Sequence, residues 1–184
     1  MNAKHLIDTI KKHLPRIIYY KQPDVDTKPK QKLYIHYGSQ HFIIDDFIPV
    51  INDLHPWIKP AFGSGLWASP LDTLNGWYAW CIENDFNTDR LTSSFVFKLK
   101  SNSKVLYISN TDDLKFLKEN ELLDARWKKN DLSITEKYVM DFEKIRDIGY
   151  DAIEVEINSS TYYPLYGWDC DSLLVLNPNC VVEV

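Results

Sequence analysis

At 184 residues with 45% apolar side chains, the chain is long enough for one domain with a substantial core, and its 26% of charged residues is too ordinary for a disordered polymer. A net charge of −5 argues against a broad nucleic-acid-binding face, and no apolar run reaches signal-peptide or transmembrane length, so a cytoplasmic protein without a membrane span is expected. Aromatics make up 14%, with six Trp and eleven Tyr; that exceeds what such a core needs and points to a stacking or recognition surface.

Residues 4–14 place Leu6, Ile7, Ile10 and Leu14 at helical spacing, and Pro15 stops the run. The polar stretch KQPDVDTKPKQK that follows, residues 21–32, reads as a linker. The expected division is therefore a helix and linker over 1–31 and a main domain over 32–184. KLYIHYGS predicts a strand from Lys32 to Tyr37, ended by Gly38. HFIIDDFIPVINDL, residues 41–54, is apolar at helical spacing and predicts a helix that Pro49 kinks or splits.

FGSGLWASP, residues 62–70, reads as a tight turn plugged by Trp67 or as a pocket wall. In NGWYAWCIENDF, Trp77, Trp80, Cys81 and Asn84 share one helical face. SSFVFKL and KVLYIS predict strands at 93–99 and 104–109. TDDLKFLKEN predicts a helix with Thr111 as its N-cap, and Asp141 caps a second helix that Gly149 ends. Strand-like runs follow near Ala152–Ile157, in SLLVLNP and in CVVEV. Strands and helices mix without regular βαβ alternation, which predicts an α+β fold.

Several chemistries lack their signatures. There is no HExxH, CxxC, Walker loop, GxGxxG or GxSxG, and the histidines do not group at metal-ligand spacing. Cys81, Cys170 and Cys180 are odd in number and read as buried thiols in a reducing compartment. Three segments remain. His36 stands at a strand end beside Tyr37, Gly38 and Ser39; Gly65 and Trp67 precede an aromatic helix bearing Trp77, Tyr78 and Trp80; Asp169 and Asp171 stand at the mouth of the apolar run SLLVLNP. Taken singly, each has a plain reading as a locally bonded histidine, a core tryptophan and a capped turn. A carboxylate at the mouth of a buried strand is costly, however, unless donors or cations meet it.

In order, IHYGS, FGSGLWASP followed by GWYAWC, and WDCDSLLVLNP resemble the ADP-ribosyltransferase superfamily, in its His-Tyr-Glu branch of diphtheria-toxin and poly(ADP-ribose) polymerase type. The resemblance covers residues 32–184. It departs from the family pattern in three places: Tyr37 separates His36 from Gly38, Trp67 stands where the family has tyrosine, and the acid is aspartate rather than glutamate. It implies a split mixed β-sheet core with peripheral helices and an N-terminal helical appendage. It also implies NAD as co-substrate, with release of nicotinamide and transfer of ADP-ribose to a macromolecular acceptor, protein slightly favoured over nucleic acid, as in a bacterial or phage effector, toxin or defence factor with room for a neutralising partner.

The roles it implies are residue by residue. Asp171, with Asp169 in reserve, would stabilise positive charge on the ribose. His36 would bond a ribose hydroxyl, Tyr37–Gly38 backbone would meet the carboxamide, and Ser39 would add a hydroxyl. Trp67 would stack on nicotinamide across the glycine at 65, and one of Trp77, Tyr78 and Trp80 would close the other face. Two alternatives stay open: a non-catalytic NAD- or ADP-ribose-binding module on the same fold, and an interaction protein whose aromatics only pack.

Overall fold

The computed structural model describes residues 31–52, 63–124, 138–165 and 167–184. The helix expected over 4–14, nearly all of the linker, Phe62 and Tyr166 lie outside these. Residues Lys32–Val184 form one compact unit. Its described residues hold seven strands, β1 (Leu33–Tyr37), β2 (Leu66–Pro70), β3 (Ser94–Leu99), β4 (Val105–Ile108), β5 (Ala152–Val155), β6 (Ser172–Val175) and β7 (Val181–Glu183). Among the described residues three α-helices accompany them, α1 (Trp77–Glu83), α2 (Thr111–Glu119) and α3 (Phe142–Asp147).

The strands lie in the order β4-β5-β6-β2-β1-β3-β7. Only β4 and β5 are parallel; every other pair is antiparallel. The class is thus mixed α+β, as the irregular alternation predicts. No helix among the described residues is long and apolar enough to cross a membrane.

Alternation along the strands sorts side chains to two faces. On one, Leu106, Ile108, Ile153, Val155 and Leu174 pack against Leu114 and Leu117 of α2 and Phe142 and Ile145 of α3. On the other, Tyr34, Phe95, Phe97, Leu173 and Val175 are closed over by Phe42 and Phe47. That second face buries one carboxylate, Glu154, which accepts from Tyr34 Oη at 2.8 Å and pairs with Lys32.

Two local expectations need correction. The apolar stretch from residue 41 holds only one 3₁₀ turn, Ile44–Asp46, within its described part. Its periodicity arises because Phe42, Phe47 and Val50 reach into the cores from an otherwise irregular segment, not because a helix presents one face. The cap of α2 is Asn110 rather than Thr111: its side-chain oxygen accepts from Asp112 N at 2.8 Å and Asp113 N at 3.1 Å. Asp141 does cap α3, accepting from Lys144 N at 2.9 Å, and Gly149 beyond it has a positive φ of 94°.

Candidate functional site

The glycine segment forms a strand, β2, and it sits between the strands that carry the other two segments. Its last residues pair with β1 (Tyr34↔Pro70, Ile35↔Ser69), and its first three pair with β6 (Leu66↔Val175, Trp67↔Leu174, Ala68↔Leu173). Pro70 is tolerated because it ends the strand. Beyond Ile35 the β1–β2 ladder stops. There the His36 ring, not the backbone, meets Trp67: Nδ1 lies 2.6 Å from the Trp67 carbonyl oxygen. A carbonyl only accepts, so Nδ1 carries the proton.

Burial holds the His36 pKa below its ordinary 6.5, partly opposed by that bond to Trp67. The ring is therefore neutral at pH 7, and Nε2 keeps a lone pair. No partner for Nε2 stands among the described residues, and it lies 4.0 Å from where a Cβ on Gly38 would sit. The ring also packs on Phe95, centroids 5.1 Å apart. Gly38 takes φ +111°, a left-handed conformation that favours glycine, and donates its N–H to Ser93 at 2.8 Å. Only its carbonyl is left to meet a ligand amide. Ser39 turns its hydroxyl to the His41 carbonyl at 3.3 Å.

Of the three helix aromatics, Tyr78 is the one that meets β1, its ring 5.9 Å from that of Tyr37. Burial, then Tyr78, raises the Tyr37 pKa. Trp77 and Trp80 stack on each other at 5.1 Å and 14° and hold Phe86 edge-on. Trp67 is half-buried, with its indole against Trp168 at 4.8 Å. What comes close at Gly65 is the chain itself. It has φ +69°, and a Cβ there would stand 2.6 Å from Leu174 Cδ1 and 2.7 Å from Val50 Cγ2.

Asp171, immediately before β6, is a half-buried residue with three donors on its carboxylate. Thr73 Oγ1 donates to Oδ2 at 2.5 Å; Ile157 N and Asn75 Nδ2 donate to Oδ1 at 2.8 and 3.3 Å. In return Asp171 N donates to Asn75 O at 2.9 Å. The strand-mouth carboxylate is thus met by hydrogen bonds, and through them it clasps the loop joining β2 to α1. Ser69, at the end of β2, accepts from Trp77 N at 2.8 Å and so caps α1, whose Gly76 has no side chain to do so. Beside it Cys170 is buried; burial raises its thiol to about 11, opposed by hydrogen bonds to Ser172 and Ser69 and reinforced by the charges of Asp169 and Asp171.

His36, Gly38, Tyr37, Tyr78 and the Trp67 backbone therefore gather where β1 and β2 part. Asp171 lies at the opposite end of β2, bonded to Thr73, Asn75 and Ile157 rather than to His36 or Trp67. Thr73, Asn75 and Ser69 are the site's missed residues. Their signal is faint: small polar side chains at a strand end and in the short loop that leads from it to a helix. No metal-binding group of His, Cys, Asp and Glu occurs among the described residues. Comparison with protein-family models, with curated proteins and with solved structures yields no match.

Proposed function

We propose that the chain is an NAD-dependent mono-ADP-ribosyltransferase that moves ADP-ribose to a macromolecular acceptor and releases nicotinamide. One observation carries the reading. Strands β1, β2 and β6 are neighbours, which brings the segments of His36, Trp67 and Asp171 side by side although 135 positions separate the first from the last, 171 less 36. The residues fit NAD in kind: a neutral imidazole with a free acceptor suits a ribose hydroxyl, the Gly38 carbonyl suits an amide, and Tyr78 offers a ring.

Cleavage of the nicotinamide–ribose bond develops positive charge on the sugar, as in glycoside cleavage. A carboxylate whose position is fixed beforehand lowers that barrier without reorganising. Asp171 is held by three donors, so its remaining lone pairs point in set directions. Those same three hydrogen bonds support a second reading, a non-catalytic binder of NAD or ADP-ribose in which Asp171 only anchors the loop.

Incubation with labelled NAD and a cell extract, followed by protease and by nuclease digestion, separates these. The transferase reading expects free nicotinamide and label that protease removes. It also expects Asp171→Asn to cut release about 100-fold, whereas Thr73→Val, which keeps the carboxylate, retains most of it. Saturable NAD binding without nicotinamide release selects the binder. Neither binding nor release overturns both.

A further inference from the structure

The outer side of α1 and its flanks carries several exposed apolar side chains. Leu71, Leu74, Tyr78, Ile82 and Phe86 all fall between residues 71 and 86, and all are exposed, Leu74 at 95% and Ile82 at 54%. At 100° per residue, buried Cys81 marks the inward side of α1, and the opposite side presents Ala79 and Glu83. Apolar groups flank that line on both sides, Tyr78 and Ile82 on one and Trp80 with Phe86 on the other.

The charges carried by the same stretch of chain are nearly all of one sign. Residues 71–90 hold Asp72, Glu83, Asp85 and Asp89 against one cation, Arg90. Glu83 closes α1 with no basic residue in its last turn, and Asp85 follows at once. The negative end of the helix dipole thus meets carboxylates instead of cations. Among the described residues none of these four acids has an ion-pair partner. The turn that displays Phe86 is itself strained: its neighbours Asp85 and Asn87 both have positive φ, 49° and 48°.

We propose that this face docks a basic amphipathic helix of a partner protein, with its aliphatic side on Ile82 and Phe86 and its Lys or Arg residues on Glu83, Asp85 and Asp89. A helix side has no free backbone donors or acceptors, so a partner must bind through side chains rather than by adding a strand. The negative field repels the phosphates of nucleic acid and of anionic lipid, which selects a basic protein segment. The inference stands apart from NAD chemistry.

Calorimetry on the full chain tests it, with three synthetic helices of about 14 residues built from Leu and Lys, Leu and Glu, or Ser and Lys. The Leu/Lys helix should bind and the other two should not. Binding should weaken about tenfold between roughly 0.05 and 0.3 M salt. Leu74→Asp, Ile82→Asp and Glu83→Lys should each weaken it about tenfold or more; all three positions are exposed, so the fold tolerates the changes. Absence of Leu/Lys binding, equal binding of the Leu/Glu helix, or affinity unmoved by Ile82→Asp overturns the proposal. So does a homodimer that Ile82→Asp dissolves, since the face then serves a second copy of the chain.

Discussion

His36 shows how one side chain can serve both the fold and the site. Its Nδ1–H takes the Trp67 carbonyl that the β1 backbone leaves unpaired, and burial keeps the ring neutral. A lowered histidine pKa means that the unfolded chain takes up the proton first as pH falls. The stability that the neutral ring contributes is therefore complete above about pH 6.5 and is lost as pH drops through the folded-state value. The melting temperature of the native chain should accordingly fall more steeply below about pH 6.5 than that of His36→Gln. Parallel melting curves for the two proteins in that window would refute the assignment.

Two glycines two positions apart, Gly63 and Gly65, make a paired test of strain against space. Gly63→Ala imposes only a left-handed backbone, since nothing lies within 4 Å of its would-be Cβ, and should cost about 1 kcal/mol. Gly65→Ala adds collisions with Leu174, Val50 and the Val175 carbonyl and should cost about 2–4 kcal/mol. Denaturant unfolding ranks them. Equal losses would mean that the neighbours of Gly65 yield freely.

At the scale of elements, what the sequence disclosed depended on whether local pattern and tertiary packing agreed. β1, β3 and β4 are rich in aromatic and β-branched residues bounded by turns, and they fall within a residue or two of expectation. The glycine segment hid β2, because Gly65 opens it and Pro70 closes it, both marks of a turn. Residues 41–52 misled in the other direction: phenylalanine spacing that suits a helix also suits an irregular strap whose rings drop into a core. The three candidate segments could be named from sequence, but the partners of Asp171 could not. A hydrogen bond from Thr73 spans 98 positions and leaves no periodic trace.

The cap of α1 was equally hidden, since Ser69 lies eight residues before the amide it satisfies. Ser69→Ala should cost about 1 kcal/mol, as loss of an ordinary N-cap does, and should loosen the Trp77–Trp80 stack. Urea unfolding reads the first effect and the near-ultraviolet circular dichroism of the tryptophans the second. An unchanged midpoint would show that the Trp77 amide finds another acceptor.

For the molecule as a whole, the cysteines report on integrity. Cys81, Cys170 and Cys180 are all buried, and burial pushes Cys170 to about 11 and Cys180 to about 12. Thiolate is the reactive form, so at about pH 8 none of the three should react with a disulfide reagent until denaturant is added. Rapid labelling of one thiol in native buffer would reveal an opening of the sheet at that position.

β6 has a consequence for how the protein is made. Among the described strands it alone joins the β4–β5 pair to the strands around β2, yet it is sixth of the seven in chain order. While the polypeptide emerges from the ribosome, β1, β2 and β3 can associate early, but the halves of the sheet stay unconnected until residues 172–175 appear. Until then β2 and β5 each present an open apolar edge, and the nascent chain must be shielded from its neighbours through that interval.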